Sequence, residues 1–273
     1  MNPNNPSISS GPSGHAARPI PPLARRLFSV IWRHYTVYNR HFFTNSFVTV
    51  IDPLLFFAAV GWGLASALGT MNGVSYLVFL VSSQTMMAVV FTSAFETSYG
   101  TYFRMSMDHN YDSMLVTPLG IEDVFWGELL YVGSRAAFFS LTLLGIFALF
   151  GWVPSWWALA VPLVGFFTAI TIGSLGYFAN RLVKSINHFN YFITGIISPL
   201  LLFSGTLYPI DRLPKVIGLI AAWLPLYPSV HLARMLTIGR FDENLWISVL
   251  YVVLAPCLLG YFAVKCMRPK LIN

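Results

Sequence analysis

The sequence predicts an all-α membrane protein with six transmembrane helices. Of its 273 residues, 56% are hydrophobic and 10% charged, against about 25% charged in an ordinary soluble domain. Six apolar stretches reach about 20 residues, the length that spans a hydrocarbon core of about 30 Å as helix. Aromatic residues, among them Trp62, Tyr76, Trp152, Trp156, Trp157 and Tyr208, gather near the ends of those stretches, as an interfacial belt does.

Residues 1–22 are rich in Pro, Ser, Asn and Gly, a composition that cannot repay the entropy of ordering, so a disordered tail is expected. No cleavable signal peptide is expected, because the first apolar run comes late and is broken by Arg26, Arg33 and Arg40. Those arginines recur every seven residues and form one stripe of a helix over residues 23–44, with Leu27, Ile31, Tyr38 and Phe42 roughly opposite. Such a helix lies flat at a membrane surface or packs on another part of the protein.

The spans are placed at Phe47–Leu68, Tyr76–Tyr99, Val124–Phe150, Trp156–Ala179, Phe189–Leu207 and Leu245–Val264. Each must be helical, since lipid offers no partners for the backbone N–H and C=O groups of an extended segment. Eleven Lys and Arg fall on one side: Arg18, Arg25, Arg26, Arg33, Arg40, Arg104, Arg181, Lys184, Lys265, Arg268 and Lys270. The other side has Arg212, Lys215, Arg234 and Arg240, so both termini are expected in the cytoplasm. The net charge of +6 is scattered between spans and forms no dense patch for nucleic acid.

Two connections are more than turns. Between spans 2 and 3, Gly100 to Asp123 carries Asp108, Asp112, Glu122 and Asp123. It forms either a solvated loop or a short amphipathic helix, stopped by Thr117-Pro118, that offers a surface to a soluble partner. Between spans 5 and 6, Val216 to Leu226 is apolar, but Pro214, Pro225 and Pro228 divide the connection into pieces too short to span. These dip into the outer leaflet as a portal or pack on the bundle.

Cys257 and Cys266 are the only cysteines, which leaves neither a disulfide framework nor a Cys-based zinc site. The only Lys followed by Ser or Thr is Lys184, preceded by Val183 rather than Gly, so no P-loop is present. The six histidines are too dispersed for a metal motif and no hydrolase signature occurs. The chain reads as non-catalytic, with no cofactor of its own. Ionisable residues in or near the spans are Asp52, Glu96, Glu128 and Arg135; such groups serve packing networks or a pathway, or snorkel from the interface. Glu128 and Arg135 stand two turns apart on one helix face, which suggests an ion pair or a link to a neighbouring helix.

In several runs the chain resembles the permease subunits of ABC type-2 transporters, and among them the nodulation-type lipo-oligosaccharide exporters. The runs are Asp52-Pro53-Leu54-Leu55 with Gly61 and Gly63, and Phe95-Glu96-Thr97-Ser98-Tyr99-Gly100 with Arg104 and Met105. They continue with Tyr111 through Thr117-Pro118-Leu119 into Gly127-Glu128, then Phe203-Ser204-Gly205-Thr206-Leu207-Tyr208-Pro209-Ile210-Asp211-Arg212-Leu213-Pro214, and Pro225-Leu226 with His231, Ala233, Arg234 and Gly239. Ser83-Gln84 stands where the family more often has Pro-Gly.

The resemblance implies six membrane helices with an N-terminal interface helix, a cytoplasmic coupling helix and short re-entrant helices before the last span. It implies a bacterial inner-membrane subunit that pairs with a second copy and two ABC ATPase subunits, with ATP and Mg held by the ATPase, and that moves an amphiphilic substrate among membrane lipid. Tyr111, Asp112, Met114, Leu115, Thr117, Pro118 and Leu119 would form the coupling helix, with Leu115 and Leu119 facing the ATPase. Ser204, Gly205, Tyr208, Pro209, Asp211, Arg212 and Pro214 would form an extracellular gate motif. A polysaccharide or drug exporter shares these features, and a membrane scaffold or sensor without transport is the reading from another class.

Overall fold

The computed structural model describes residues 21–71, 73–107, 110–210 and 214–272. Residues 1–20 of the expected tail, and Asp108, His109, Asp211, Arg212 and Leu213, lie outside the described residues. Six described helices are long and apolar enough to cross a membrane. They are span 1 (Phe42–Ala65), span 2 (Tyr76–Ser106), span 3 (Ile121–Leu149), span 4 (Trp156–Leu182), span 5 (Ile186–Phe203) and span 6 (Leu245–Lys270).

Local chemistry sets the span starts. The Ser75 hydroxyl accepts from Val78 N–H at 3.4 Å to open span 2, and Ser155 accepts from Trp157 N–H at 3.2 Å to open span 4. Span 3 begins at Ile121, ahead of the expected Val124, because Asp123 reaches back to Gly120 N–H at 2.8 Å and acidic residues favour a helix N-terminus. A tight two-stranded hairpin pairs Thr70 with Ser75 and Met71 with Val74 between spans 1 and 2.

Span 2 runs well past the expected stop at Tyr99. Gly100 does not end it: a wide turn over Glu96–Gly100 absorbs one extra residue, and the helix resumes at Thr101. Similar wide turns occupy Phe57–Trp62 in span 1, just after Pro53, and Ile193–Ile197 in span 5.

Spans 2, 3 and 4 make the centre, with span 6 against span 4. In the hydrophobic window of span 2, 72% is buried within the chain, but only 11% in span 1 and 28% in span 5. Spans 1 and 5 are therefore the peripheral helices. Close packing in a bilayer uses small residues: a Cβ on Gly165 of span 4 would meet Val89 of span 2 at 3.2 Å and Ser140 of span 3 at 3.4 Å. Not all of the aromatic belt is interfacial. Trp62, Trp156 and Trp157 are exposed, whereas Tyr76 is buried and Trp152 packs its ring against Phe57, Phe147 and Phe150.

The interface helix covers Leu23–Asn39 and ends before the expected residue 44. It packs on span 3 through Val30, His34 and Tyr38; of the expected apolar stripe, Tyr38 is buried and Ile31 and Phe42 are partly buried against the core, Phe42 from the start of span 1, while the outer face exposes Phe28, Trp32 and Val37. Of the two expected modes, packing on the protein is the one found, and the opposite face is left apolar and exposed.

After span 5 come two short helices, Lys215–Ala222 and Tyr227–Ile238. Pro228 sits in the first turn of the second, where its missing N–H costs nothing. Gly239 closes that helix at φ +78°, a left-handed conformation that favours glycine. The interface helix, the connections between spans 2 and 3 and between spans 4 and 5, and the end of span 6 share one rim, called here the basic rim: Arg26 pairs with Asp123, Arg268 with Glu122, and Lys270 donates to Asn180 and Val183 carbonyls.

Candidate functional site

Near the basic rim, spans 2 and 3 bury two carboxylates and two guanidiniums together. Glu96 accepts from Arg104 Nη1 at 2.7 Å and from Arg135 Nη1. Glu128, with no solvent exposure, accepts from Arg104 Nη2, from the Thr101 hydroxyl at 2.5 Å and from the Tyr111 phenol. Arg135 also stacks over the Tyr38 ring of the interface helix at 4.4 Å. The charges balance two against two, which is the condition for keeping such groups in a low-dielectric interior.

This arrangement decides between the two expectations for Glu128 and Arg135, in favour of links to a neighbouring helix, and corrects the reading of Arg104. Glu128 and Arg135 share a face of span 3 but are separated by about 10 Å of helical rise, and span 2 fills the gap, so each pairs with a span 2 residue instead of with the other. Arg104, read from the sequence as a loop charge, is inside span 2. The extra residue of the wide turn brings Glu96 and Arg104, eight apart, onto one side, where a regular helix would align residues seven apart. Glu96 and Glu128 are therefore internal network members and not snorkelling interface groups, whereas Asp52 is exposed.

The segment that the resemblance assigns to coupling is hung from this network. Its helix spans only Asn110–Leu115, shorter than expected, because Thr117 caps the Met114 carbonyl through its hydroxyl at 2.5 Å and Pro118 cannot extend the ladder. Tyr111 and Met114 point inward, Tyr111 with its ring 5.7 Å from that of Phe125. Burial, and then the Glu128 carboxylate, push the Tyr111 phenol well above its ordinary pKa, so it stays protonated and donates. Leu115 and Leu119 are half-buried; Val116 (89% exposed), Thr117 and Pro118 face outward. Asp112 lies on the helix. Between this segment and the interface helix runs a groove of about 700 Å³ walled by Arg25, Arg26, Arg33, Met114 and Pro118.

The interface helix is seated by Arg26 on Asp123 at 2.5 Å, by the Tyr35 hydroxyl donating to Ser134 at 2.9 Å, and by His34 stacked on Tyr131. Burial, then the nearby Arg104 charge, lower the His34 pKa to about 4, so the ring is neutral at pH 7. Val30 sits directly on Gly127 of span 3: a Cβ there would lie 2.6 Å from Val30 Cβ. Gly127→Ala is therefore expected to lift the helix and cost about 1–3 kcal/mol by overpacking. Adding Val30→Ala removes the Val30 Cγ1 contact at 2.7 Å but keeps the Cβ contact at 2.6 Å, so it should restore only part of it, whereas Val30→Gly should relieve the clash itself, as read by thermal unfolding and by protease sensitivity of the first 40 residues.

Asp52, Glu96 and Arg135 meet around a second groove, of about 520 Å³, between spans 1 and 2. Glu128 does not line it. At the opposite rim, Ser204 donates to the Leu200 carbonyl and Gly205 turns at φ +74°. The Gly205 carbonyl accepts from Arg234 Nη2 at 2.6 Å; the same nitrogen reaches Ser83 Oγ at 3.2 Å, and the guanidinium lies 3.9 Å from the Phe79 ring centre. Pro209 is buried, Tyr208 half-buried and Pro214 exposed, while Asp211 and Arg212 lie outside the described residues. The sequence showed Arg234 as a loop charge and as part of a run that resembles the family, but not its contacts with Gly205 and Ser83; its helix, apolar on the side that packs against spans 2 and 6, was the available signal.

The architecture agrees with what the chain is similar to. A family described as ABC-2 type transporter matches residues 23–237. Nodulation protein J of Rhizobium leguminosarum bv. viciae is 30% identical over 222 residues, covering 80% of this chain and 85% of that protein. Nodulation protein J of Rhizobium leguminosarum bv. trifolii is 28% identical over 230 residues, covering 84% and 87%. An inner membrane transport permease of Escherichia coli, YadH, is 28% identical over 170 residues, covering 60% and 64%. With six membrane helices and a match over most of its length, the chain is an integral membrane protein and belongs to the ABC-2 type transporter family.

Proposed function

We propose that the chain is the permease subunit of an ATP-driven exporter that moves an amphiphilic glycolipid or lipo-oligosaccharide outward across a bacterial inner membrane. Its basic rim, with both termini, faces the cytoplasm, in keeping with ten of its sixteen Lys and Arg once Arg104 is counted inside span 2. Two copies pair through the sparsely covered spans 1 and 5, and two ABC ATPase subunits, which hold ATP and Mg, dock on that rim. The gate motif from Ser204 to Pro214 closes the outer end, with Arg234 latching it to span 2.

The observation that carries this reading is the hydrogen bond from Tyr111 to Glu128. It ties the protruding coupling segment to a carboxylate buried between two spans. Displacement of the segment by the ATPase then changes the packing of spans 2 and 3 directly, which lets nucleotide favour one arrangement of the permeases over another.

Because Leu115 and Leu119 are partly committed to the fold, docking is better tested at the outward residues. Val116→Asp with Pro118→Asp is expected to weaken ATPase docking about tenfold or more, or about 1.4 kcal/mol, and to lower export correspondingly, with insertion and thermal stability unchanged. Export and ATPase co-purification at parental levels in that variant would remove the docking assignment.

A further inference from the structure

The groove between spans 1 and 2, about 520 Å³, has the volume of a small-ligand site, about 300–1,000 Å³. Gln84, Ala88 and Thr92 recur every fourth residue on one face of span 2 and all line it. Span 1 presents Val48, Asp52 and Phe56 at the same spacing. Asp52 lies about 15 Å of helical rise from the start of span 1 at Phe42, half the depth of a hydrocarbon core of about 30 Å. At one end of the groove Glu96 and Arg135 pair with each other, so the charges there are already matched.

Other polar groups of the groove are not satisfied. In span 2 the polar run Ser82 to Thr85 is buried throughout. Ser82 and Thr85 donate to the Phe79 and Val81 carbonyls, and Ser83 accepts from Arg234. Gln84, 1% exposed, has only the Met87 sulfur, 3.8 Å from its amide nitrogen, and a thioether is a weak acceptor. Every other buried threonine hydroxyl among the described residues donates to a backbone carbonyl or to Glu128. Thr92 Oγ1 is buried with no partner among them. Asp52 likewise has no ion pair or hydrogen bond among the described residues, and an intramembrane carboxylate that faces a cavity marks a ligand path more often than a packing role.

These unmet valences decide what fits. Asp52 needs donors, Gln84 offers N–H groups and an acceptor oxygen, and Thr92 can donate or accept. An anion would meet the Asp52 carboxylate, and a cation would pair with it but leave Gln84 and Thr92 unsatisfied. Hydroxyl groups, each donor and acceptor, satisfy all of them without a charge. Gln84 and Thr92 stand about 12 Å apart in helical rise, so a ligand that meets both carries hydroxyls along its length. We infer that this groove holds the uncharged, polyhydroxylated head of the amphiphilic cargo, with Asp52, Gln84 and Thr92 reading its hydroxyls. The assignment rests on the export reading and adds to it the residues that select a neutral head.

The permease–ATPase complex, in a polyoxyethylene detergent that brings no sugar, is titrated with probes sharing a dodecyl chain. Dodecyl maltoside is expected to bind about tenfold tighter than dodecyl phosphate or dodecyltrimethylammonium, a difference of about 1.4 kcal/mol. Gln84→Leu with Thr92→Val should erase that preference while the melting temperature without probe holds or rises, because apolar groups of similar shape replace unpaired polar ones. Equal affinities, or a preference that survives the double substitution, would overturn the inference. So would a lower melting temperature, which marks the two side chains as structural, or tightest binding of the trimethylammonium probe, lost in Asp52→Asn, which marks a cation site. In vesicles, ATP-driven movement of a labelled diglucosyl lipid that falls in the double variant supports the cargo role. Equal movement by parent and variant overturns that role and leaves export standing, whereas failure to move any amphiphile, with the binding preference intact, sinks the export reading itself and the cargo role with it.

Discussion

Glu128→Gln is expected to abolish export and to destabilise the chain by about 3–5 kcal/mol, the cost of breaking a buried ion pair from one side. The carboxylate takes three donors, from Arg104, Thr101 and Tyr111, and its loss leaves the network with one guanidinium in excess. Arg104→Met is expected to be similarly costly, with the excess charge reversed. In the double variant Glu96 and Arg135 remain as a balanced pair, so its destabilisation should fall short of the sum of the singles by about 1.5–3 kcal/mol. Export should nevertheless stay low, because Tyr111 no longer has a charged anchor between the spans. Thermal unfolding of the purified variants together with export gives the answer: strict additivity would mean that the charges are not coupled, and a double variant that exports normally would mean that the network is structural only.

The bundle was legible in the sequence because hydropathy, helix length and the bilayer thickness constrain one another, and all six spans lie where apolar runs of the required length occur. The gaps between basic residues were legible too, since charge can be assigned to one side without knowing contacts. What could not be read was pairing across helices. Glu128 and Arg135 share a helix face, and only the position of span 2 shows that Glu96 and Arg104 stand between them. Arg104 was misplaced because Gly100 looked like a helix end; a wide turn inside a helix has no sequence signature, so a residue beyond it was counted as solvent-facing. For the coupling segment, Thr117-Pro118 correctly announced a stop, but the amphipathic pattern did not show that Tyr111 and Met114 would turn inward. The interface helix was ambiguous because it has two apolar faces, one on Gly127 and Tyr131 of span 3 and another that exposes Phe28, Trp32 and Val37.

Gly176→Ala is expected to be the most damaging single methyl in the bundle, because its position fixes how the wide turn of span 2 is seated. A Cβ at Gly176 of span 4 would lie 2.1 Å from Thr97 Oγ1, 3.0 Å from Thr97 Cβ and 3.3 Å from the Thr97 carbonyl carbon. A side chain could rotate away, but the backbone cannot, so spans 2 and 4 must separate. One turn further along, Asn180 Nδ2 donates to the Thr97 carbonyl at 3.0 Å and the Ser98 carbonyl at 2.8 Å, groups at which the wide turn disturbs the regular helical ladder. Separation breaks both bonds and leaves buried acceptors unpaired at about 1–3 kcal/mol each, on top of an overpacking cost of about 1–3 kcal/mol. Glu96 precedes Thr97 in the same turn, so its pairing with Arg104 and Arg135 should loosen and export should fall with stability. Thr97→Ala in the Gly176→Ala background removes the hydroxyl but not the Cβ or carbonyl contacts, so it should recover only part of the loss. Gly145→Ala in span 3 has no neighbour within 4 Å and should be neutral or slightly stabilising, in line with the helix preference for Ala of about 1 kcal/mol. If Gly176→Ala and Gly145→Ala melt at the same temperature, the close approach of spans 2 and 4, and with it the fixed seat of the charge network, does not exist in the membrane.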